Sequence, residues 1–203
     1  MVKPPSRRRD AAPRRLPGEE RREAVLAAAL PVFASRGFAG TTTRDLAKAA
    51  GVTEPVLYRH FPSKADLFLA VLRAAEDRMV GRLAAIVTGA AGAGARLDAL
   101  ARAMGSVVET MSDELRLLHG AAATQTEPRV TAAVRATYRR LAAGFAAALA
   151  GRGLRKGLSP AAAATFLLEL GVGASLLGSL RVEGLYESGY GDTARALLLA
   201  ALT

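Results

Sequence analysis

The chain contains no cysteine, no tryptophan and only two histidines, and aromatic side chains make up 5% of its 203 residues. Without cysteine there is no disulfide framework and no thiolate metal site, and the thiol content identifies no redox compartment. A P-loop, a GxSxG elbow, an HExxH helix and a Cys/His cluster are all missing, so the sequence supports neither catalysis nor a cofactor nor a metal. Strand-like alternation of apolar and polar residues is absent too. What remains is the pattern of an all-α protein that is not an enzyme.

What is present is apolar and basic. Hydrophobic residues are 51% of the chain and charged residues 23%, enough to bury a sizeable core in one or two compact domains. The net charge of +10 is unevenly placed: residues 1–64 hold 13 Lys/Arg against 6 Asp/Glu, and residues 65–203 hold 15 against 12. Positive charge therefore concentrates where a polyanion would be met, as neutralising phosphates requires. Residues 1–18, MVKPPSRRRDAAPRRLPG, mix proline, glycine and arginine without apolar period and read as a disordered basic arm. SRRRD can also open a twin-arginine export signal, but Glu19, Glu20 and Glu23 weaken that reading, and a cytoplasmic location is expected.

The stretch TTTRDLAKAAGVTEPVLYRHFPSK, residues 41–64, predicts two short helices joined by a glycine turn. Thr42 and Asp45 have the spacing of a capping box, and Leu46, Ala47 and Ala50 share one helical face. Gly51 follows where the backbone needs positive φ. Thr53 is placed to cap the second helix, Pro55 suits its first turn, and Leu57 and Phe61 form its buried stripe. Exposed positions Thr53, Glu54, Pro55, Tyr58, Arg59 and His60 offer hydrogen-bonding, aromatic and basic groups to a DNA groove.

These residues carry a resemblance. The alanine-rich first helix with Phe33, the Gly37-Phe38 exit, the Thr42-Thr43 start, Gly51-Val52, the Leu57–Phe61 run and Ser63-Lys64 together resemble the DNA-binding domain of TetR-family transcriptional regulators. The resemblance covers about the first third of the chain. It implies a domain over residues 19–66 and a helical effector-binding and dimerisation domain over 67–203. It also implies a homodimer on double-stranded DNA with a near-palindromic operator, since two recognition helices about 34–36 Å apart enter successive major grooves. The family pattern places Thr43, Tyr58, His60 and Lys64 on phosphates. Arg44 can read guanine and Glu54 can accept from cytosine N4, with Pro55 and Val56 near a thymine methyl; Glu54 can equally serve the dipole of its own helix.

Beyond this region helical patterns continue. The first helix is expected over about Glu19–Arg36, with Val25, Leu26, Ala29 and Phe33 inward and a kink at Pro31. Ser63 and Asp66 should cap a long helix reaching about Ile86, with Leu67, Phe68, Val71, Leu72 and Ala75 inward. Further helices are expected over Ala95–Met111, Ser112–Ala123, Glu127–Ala150, Pro160–Leu180 and Asp192–Leu202, the last capped by Asp192, with glycine-rich breaks at 89–94 and 151–159. The Pro160–Leu180 segment is long enough for a bilayer, but Glu169 near its centre is costly in lipid. Its small residues suit close helix pairing, so a dimer helix is favoured over a membrane span. Met104, Met111, His119, Thr124, Gln125, Tyr138 and Phe166 are candidate lining for a mainly apolar small-molecule site. Three functions follow: a dimeric repressor released by such a molecule, a DNA-binding regulator governed by a protein partner instead, and, distantly, a helical ligand carrier or enzyme with an incidental helix-turn-helix.

Overall fold

The computed structural model describes residues 18–89, 95, 98–100, 102, 111–124, 127–150, 154–180 and 190–202. Among these residues every regular element is an α-helix. Most of the basic arm, Met104, Gln125, most of the expected Ala95–Met111 helix and the connector at 181–189 lie outside them.

Helix α1, Gly18–Gly40, begins with Glu19 and Glu20 at the positive end of its dipole and buries Val25, Ala29, Leu30 and Phe33. Its dihedrals break at Gly37, at φ 68° and ψ 176°, and the Thr41 hydroxyl then donates to the Gly37 carbonyl at 2.7 Å. The dihedral break in this helix thus falls at Gly37, six residues past the Pro31 position where the sequence pointed to a kink. Pro31 lies on the exposed face with helical dihedrals, and Gly37, which tolerates positive φ, takes the dihedral break.

Helices α2, Thr43–Ala49, and α3, Glu54–His60, form the helix-turn-helix. The Thr42–Asp45 capping box is complete, Leu46 and Ala47 are buried, and Gly51 turns the chain at φ 63°. Leu57 and Phe61 fill the space beneath α3. Thr53 occupies the cap position with extended backbone, but its hydroxyl makes no capping bond, against the sequence reading.

Helix α4, Lys64–Thr88, starts at Ser63 and Asp66, whose side chains bond each other at 2.6 Å, and buries Leu67, Phe68, Val71, Leu72 and Ala75. The Phe68 ring meets Phe33 and Phe38 edge-on at 5.0 and 5.4 Å. Helices α5, Ser112–Thr124, and α6, Pro128–Leu149, complete the surroundings of α4. One hydrophobic core runs from Phe33, Leu46 and Leu57 through Phe68 and Leu72 to Leu118, Val134 and Leu141. It joins the helix-turn-helix to the C-terminal helices without a break.

Contacts at three levels fix the register of α4 and α6. Asp66 pairs with Arg129 at 2.7 Å, Glu76 accepts from Thr137 at 2.8 Å and pairs with Arg140, and a Cβ on Gly144 would meet Leu83 Cδ2 at 3.1 Å. The two helices thus run side by side in the same direction.

Helix α7, Pro160–Leu180, is capped by the Ser159 hydroxyl, which accepts from the Ala162 amide at 3.1 Å. Helix α8, Tyr190–Leu202, starts before Asp192, which sits in its first turn rather than at its cap. Only 22% of Pro160–Leu177 is buried within the chain, and Phe166, Leu170 and Leu177 on α7 and Leu197 on α8 are exposed. Glu169 is exposed beside them.

Candidate functional site

The surface presented by α2 and α3 carries most of the residues the sequence pointed to. Arg44 leaves 89% of its side chain exposed, Tyr58 is 44% exposed, and Thr53, Pro55 and Arg59 also face solvent, while Thr43 and His60 are half-buried. Leu57 and Phe61 hold the opposite face of α3 in the core, so Tyr58 has nowhere to turn but outward. At the start of α2, Arg36 pairs with Asp45 at 3.0 Å, and Arg22 lies over the Phe61 ring at 5.2 Å, fastening both short helices to α1. Hydrogen bonds from Thr42, and then the Arg36 charge, hold the Asp45 carboxyl below its ordinary range.

Two residues have internal partners that the sequence did not suggest. Glu54 accepts the Thr43 hydroxyl at 2.8 Å, and its other oxygen lies 3.8 Å from Arg44 Nε. Three side chains expected to meet DNA separately are thus one cluster spanning α2 and α3. Lys64 donates to the Phe38 and Thr41 carbonyls, both at 2.9 Å, and its ammonium sits 4.5 Å from the Phe38 ring centroid. An ammonium has three donors, so one remains for a phosphate.

A cavity with about 100 Å³ of water-accessible space lies among α4, α5, α6 and α7. Met111, His119 and Tyr138 line it. Two other candidates do not. Phe166 is 41% exposed on the outer face of α7, while Leu167, Leu168, Gly171 and Val172 form the wall, and exposed Thr124 donates to the Gly120 carbonyl at 3.0 Å. Helix α7 is apolar nearly all round, so its sequence period does not mark which side faces inward. Arg82 lines the cavity and was not singled out; its signal is its place between Met79 and Ile86, three and four residues away on the same strip of α4.

Burial lowers the His119 pKa and raises that of Tyr138 to about 12, so both are uncharged at neutral pH. Neither has a hydrogen-bond partner among the described residues, although both face the cavity. Helix α5 carries His119 on this wall and packs against α1. Its Leu118 belongs both to the wall and to the core shared with the helix-turn-helix. Arg78 on α4 meets Glu114 on α5 at 2.9 Å. Hydrogen bonds from Arg140 and Thr137 outweigh burial and hold the Glu76 carboxyl below its ordinary range.

Residues 25–71 match the family model described as bacterial regulatory proteins, tetR family. The chain is 38% identical over 121 residues to FasR, an HTH-type transcriptional activator of Mycolicibacterium smegmatis; the match covers 60% of this chain and 55% of FasR, about half of that protein's length. It is 30% identical over 138 residues to the nucleoid occlusion factor SlmA of Aliivibrio fischeri, covering 68% of this chain and 70% of SlmA. Among solved structures, AibR in complex with isovaleryl coenzyme A and operator DNA superposes with a TM-score of 0.69 at 20% identity, covering 90% of this chain and 97% of AibR, a likeness of fold.

Proposed function

Because the chain belongs to the TetR family of bacterial regulatory proteins, we propose that it is a cytoplasmic, homodimeric transcriptional repressor. In this reading α3 enters the major groove of a near-palindromic operator, and a mainly apolar small molecule in the cavity releases it. Thr43, Thr53, Tyr58, His60 and Lys64 position the protein on DNA, Pro55 lies near a thymine methyl, and Arg44 reads a base with Glu54 beside it. The observation that carries the regulatory part is that α4 and α5 each contribute both to the cavity wall and to the core beneath the helix-turn-helix. A ligand preferring the DNA-incompetent arrangement shifts the balance by its differential affinity; tenfold weaker operator binding needs about 1.4 kcal/mol.

The test is operator footprinting and anisotropy with and without a metabolite panel. An effector should weaken operator binding, and operator DNA should weaken effector binding by the same factor. A ligand that saturates the cavity with identical affinity in the presence and absence of operator would remove this mechanism. The likeness to a nucleoid occlusion factor favours a second reading, a DNA-binding protein without small-molecule control, in which no panel member acts and a protein partner would have to change operator affinity instead.

A further inference from the structure

We infer that the cavity takes an amphiphilic anion, an apolar chain or ring whose single anionic group pairs with Arg82 and whose far end carries an uncharged oxygen toward Tyr138. This rests on the effector reading above and names the ligand class for that site.

Among the described lining residues only Arg82, His119 and Tyr138 carry polar side chains. Register separates two of them. Tyr138 follows Thr137, whose hydroxyl bonds Glu76, and so lies level with Glu76 on α4; Arg82 is six residues further along, about 9 Å at the rise of a helix. Met79, Leu118, Leu141 and Leu167 are among the apolar lining. Arg82, on the exposed side of the cavity, and Tyr138 therefore mark two separate levels of a wall that is otherwise almost wholly apolar.

Charge decides the orientation of a ligand. Tyr138 and His119 are both neutral at pH 7, so a carboxylate placed against them would lose its hydration with no counter-charge. Arg82 is permanently charged, exposed, and without an acidic partner among the described residues, so a carboxylate there gains a charge-assisted pair while staying partly hydrated. Hydroxyl or carbonyl oxygen suits the other end, where the Tyr138 hydroxyl can donate.

The test is calorimetric titration of the full chain with decanoate, decanol and decylamine at one ionic strength. Decanoate should bind at least tenfold more tightly than decanol, and decylamine most weakly. Arg82→Ala should abolish the preference for decanoate while leaving decanol affinity within about twofold, and Arg82→Lys should retain part of it. Arg82→Gln, with circular dichroism and thermal melting of all variants, separates lost recognition from lost folding. Equal binding of decanoate and decanol, a preference that survives in both Arg82→Ala and Arg82→Gln, or no binding by any of the three overturns the inference. Operator affinity is measured alongside: Arg82-dependent decanoate binding that leaves the operator bound upholds the ligand class and removes the effector reading.

Discussion

Lys64 and Phe38 are joined twice: the ammonium donates to the Phe38 carbonyl at 2.9 Å and lies 4.5 Å from the centroid of its ring. With the second bond to the Thr41 carbonyl, the first residue of α4 is fastened to the exit of α1 and the entry to α2. A residue whose sequence position suggests a phosphate contact is also the clasp between the helix-turn-helix and the helix leading to the cavity.

Replacing Lys64 by alanine should therefore lower both stability and DNA affinity. The two lost charge-assisted bonds predict destabilisation of about 1.5–3 kcal/mol, seen by thermal melting. Operator variants should all weaken alike if, as proposed, the remaining donor meets phosphate rather than base. A variant that melts like the parent would show that the clasp contributes nothing.

Arg44 and Glu54 should behave as a coupled pair. Arg44→Ala is expected to relax preference at one base pair by roughly 1–3 kcal/mol, and much less in a Glu54→Ala background, since Glu54 orients the guanidinium. If Glu54 reads its own base independently, the two losses will add within about 0.5 kcal/mol in a double-mutant cycle on operator variants.

Glu76 makes stability depend on acid pH. Its folded pKa lies below the ordinary 4.5, so its stabilisation is complete above that value and is lost as pH falls through the lower folded value. Glu76→Gln should flatten this acid limb in denaturant melts. At pH 7 it should cost roughly 1–2 kcal/mol, less than a fully enclosed pair, because Arg140 leaves 55% of its side chain exposed. An acid limb unchanged in slope would assign the effect to other carboxylates.

Association is expected through α7 and α8. A Cβ at Gly173 would meet nothing within 4 Å inside the chain, so Gly173→Leu should leave the melting of the isolated subunit intact while weakening dimerisation measured by sedimentation. The exposed Phe166, Leu170, Leu177 and Leu197 supply the apolar surface such pairing would cover. A dimer constant unaffected by Gly173→Leu and by Leu177→Asp would place the interface elsewhere.

Local chemistry was legible in the sequence. Thr42 with Asp45, Gly51, and Ser159 before Pro160 each act within four residues, so their spacing alone specifies a cap or a turn. Thr53 and Asp192 show the limit: the residue type fits a cap, but the side chain or the helix start lies elsewhere. Phe166 was assigned inward because α7 is apolar on nearly every side, and Leu167 holds the wall instead. Lys64's carbonyls are 23 and 26 residues away, and the Glu76 partners 61 and 64. Nothing local announces such bonds, since they exist only once the helices are packed.

The shared register of α4 and α6 has a mechanical consequence. Neither helix can screw past the other without breaking the Glu76 contacts and forcing Leu83 into Gly144, so any tilt would carry the pair as a single arm. Phe33 and Phe38 grip this arm at Phe68, which makes that ring the natural fulcrum. From Phe68 to Met79 at the cavity is about 16 Å of helix, and from Phe68 back to Lys64 about 6 Å. In such a tilt the arm would be geared down: the cavity wall would travel about two to three times as far as Lys64, and a ligand too small to push it that distance would bind and leave the DNA-facing helices where they are.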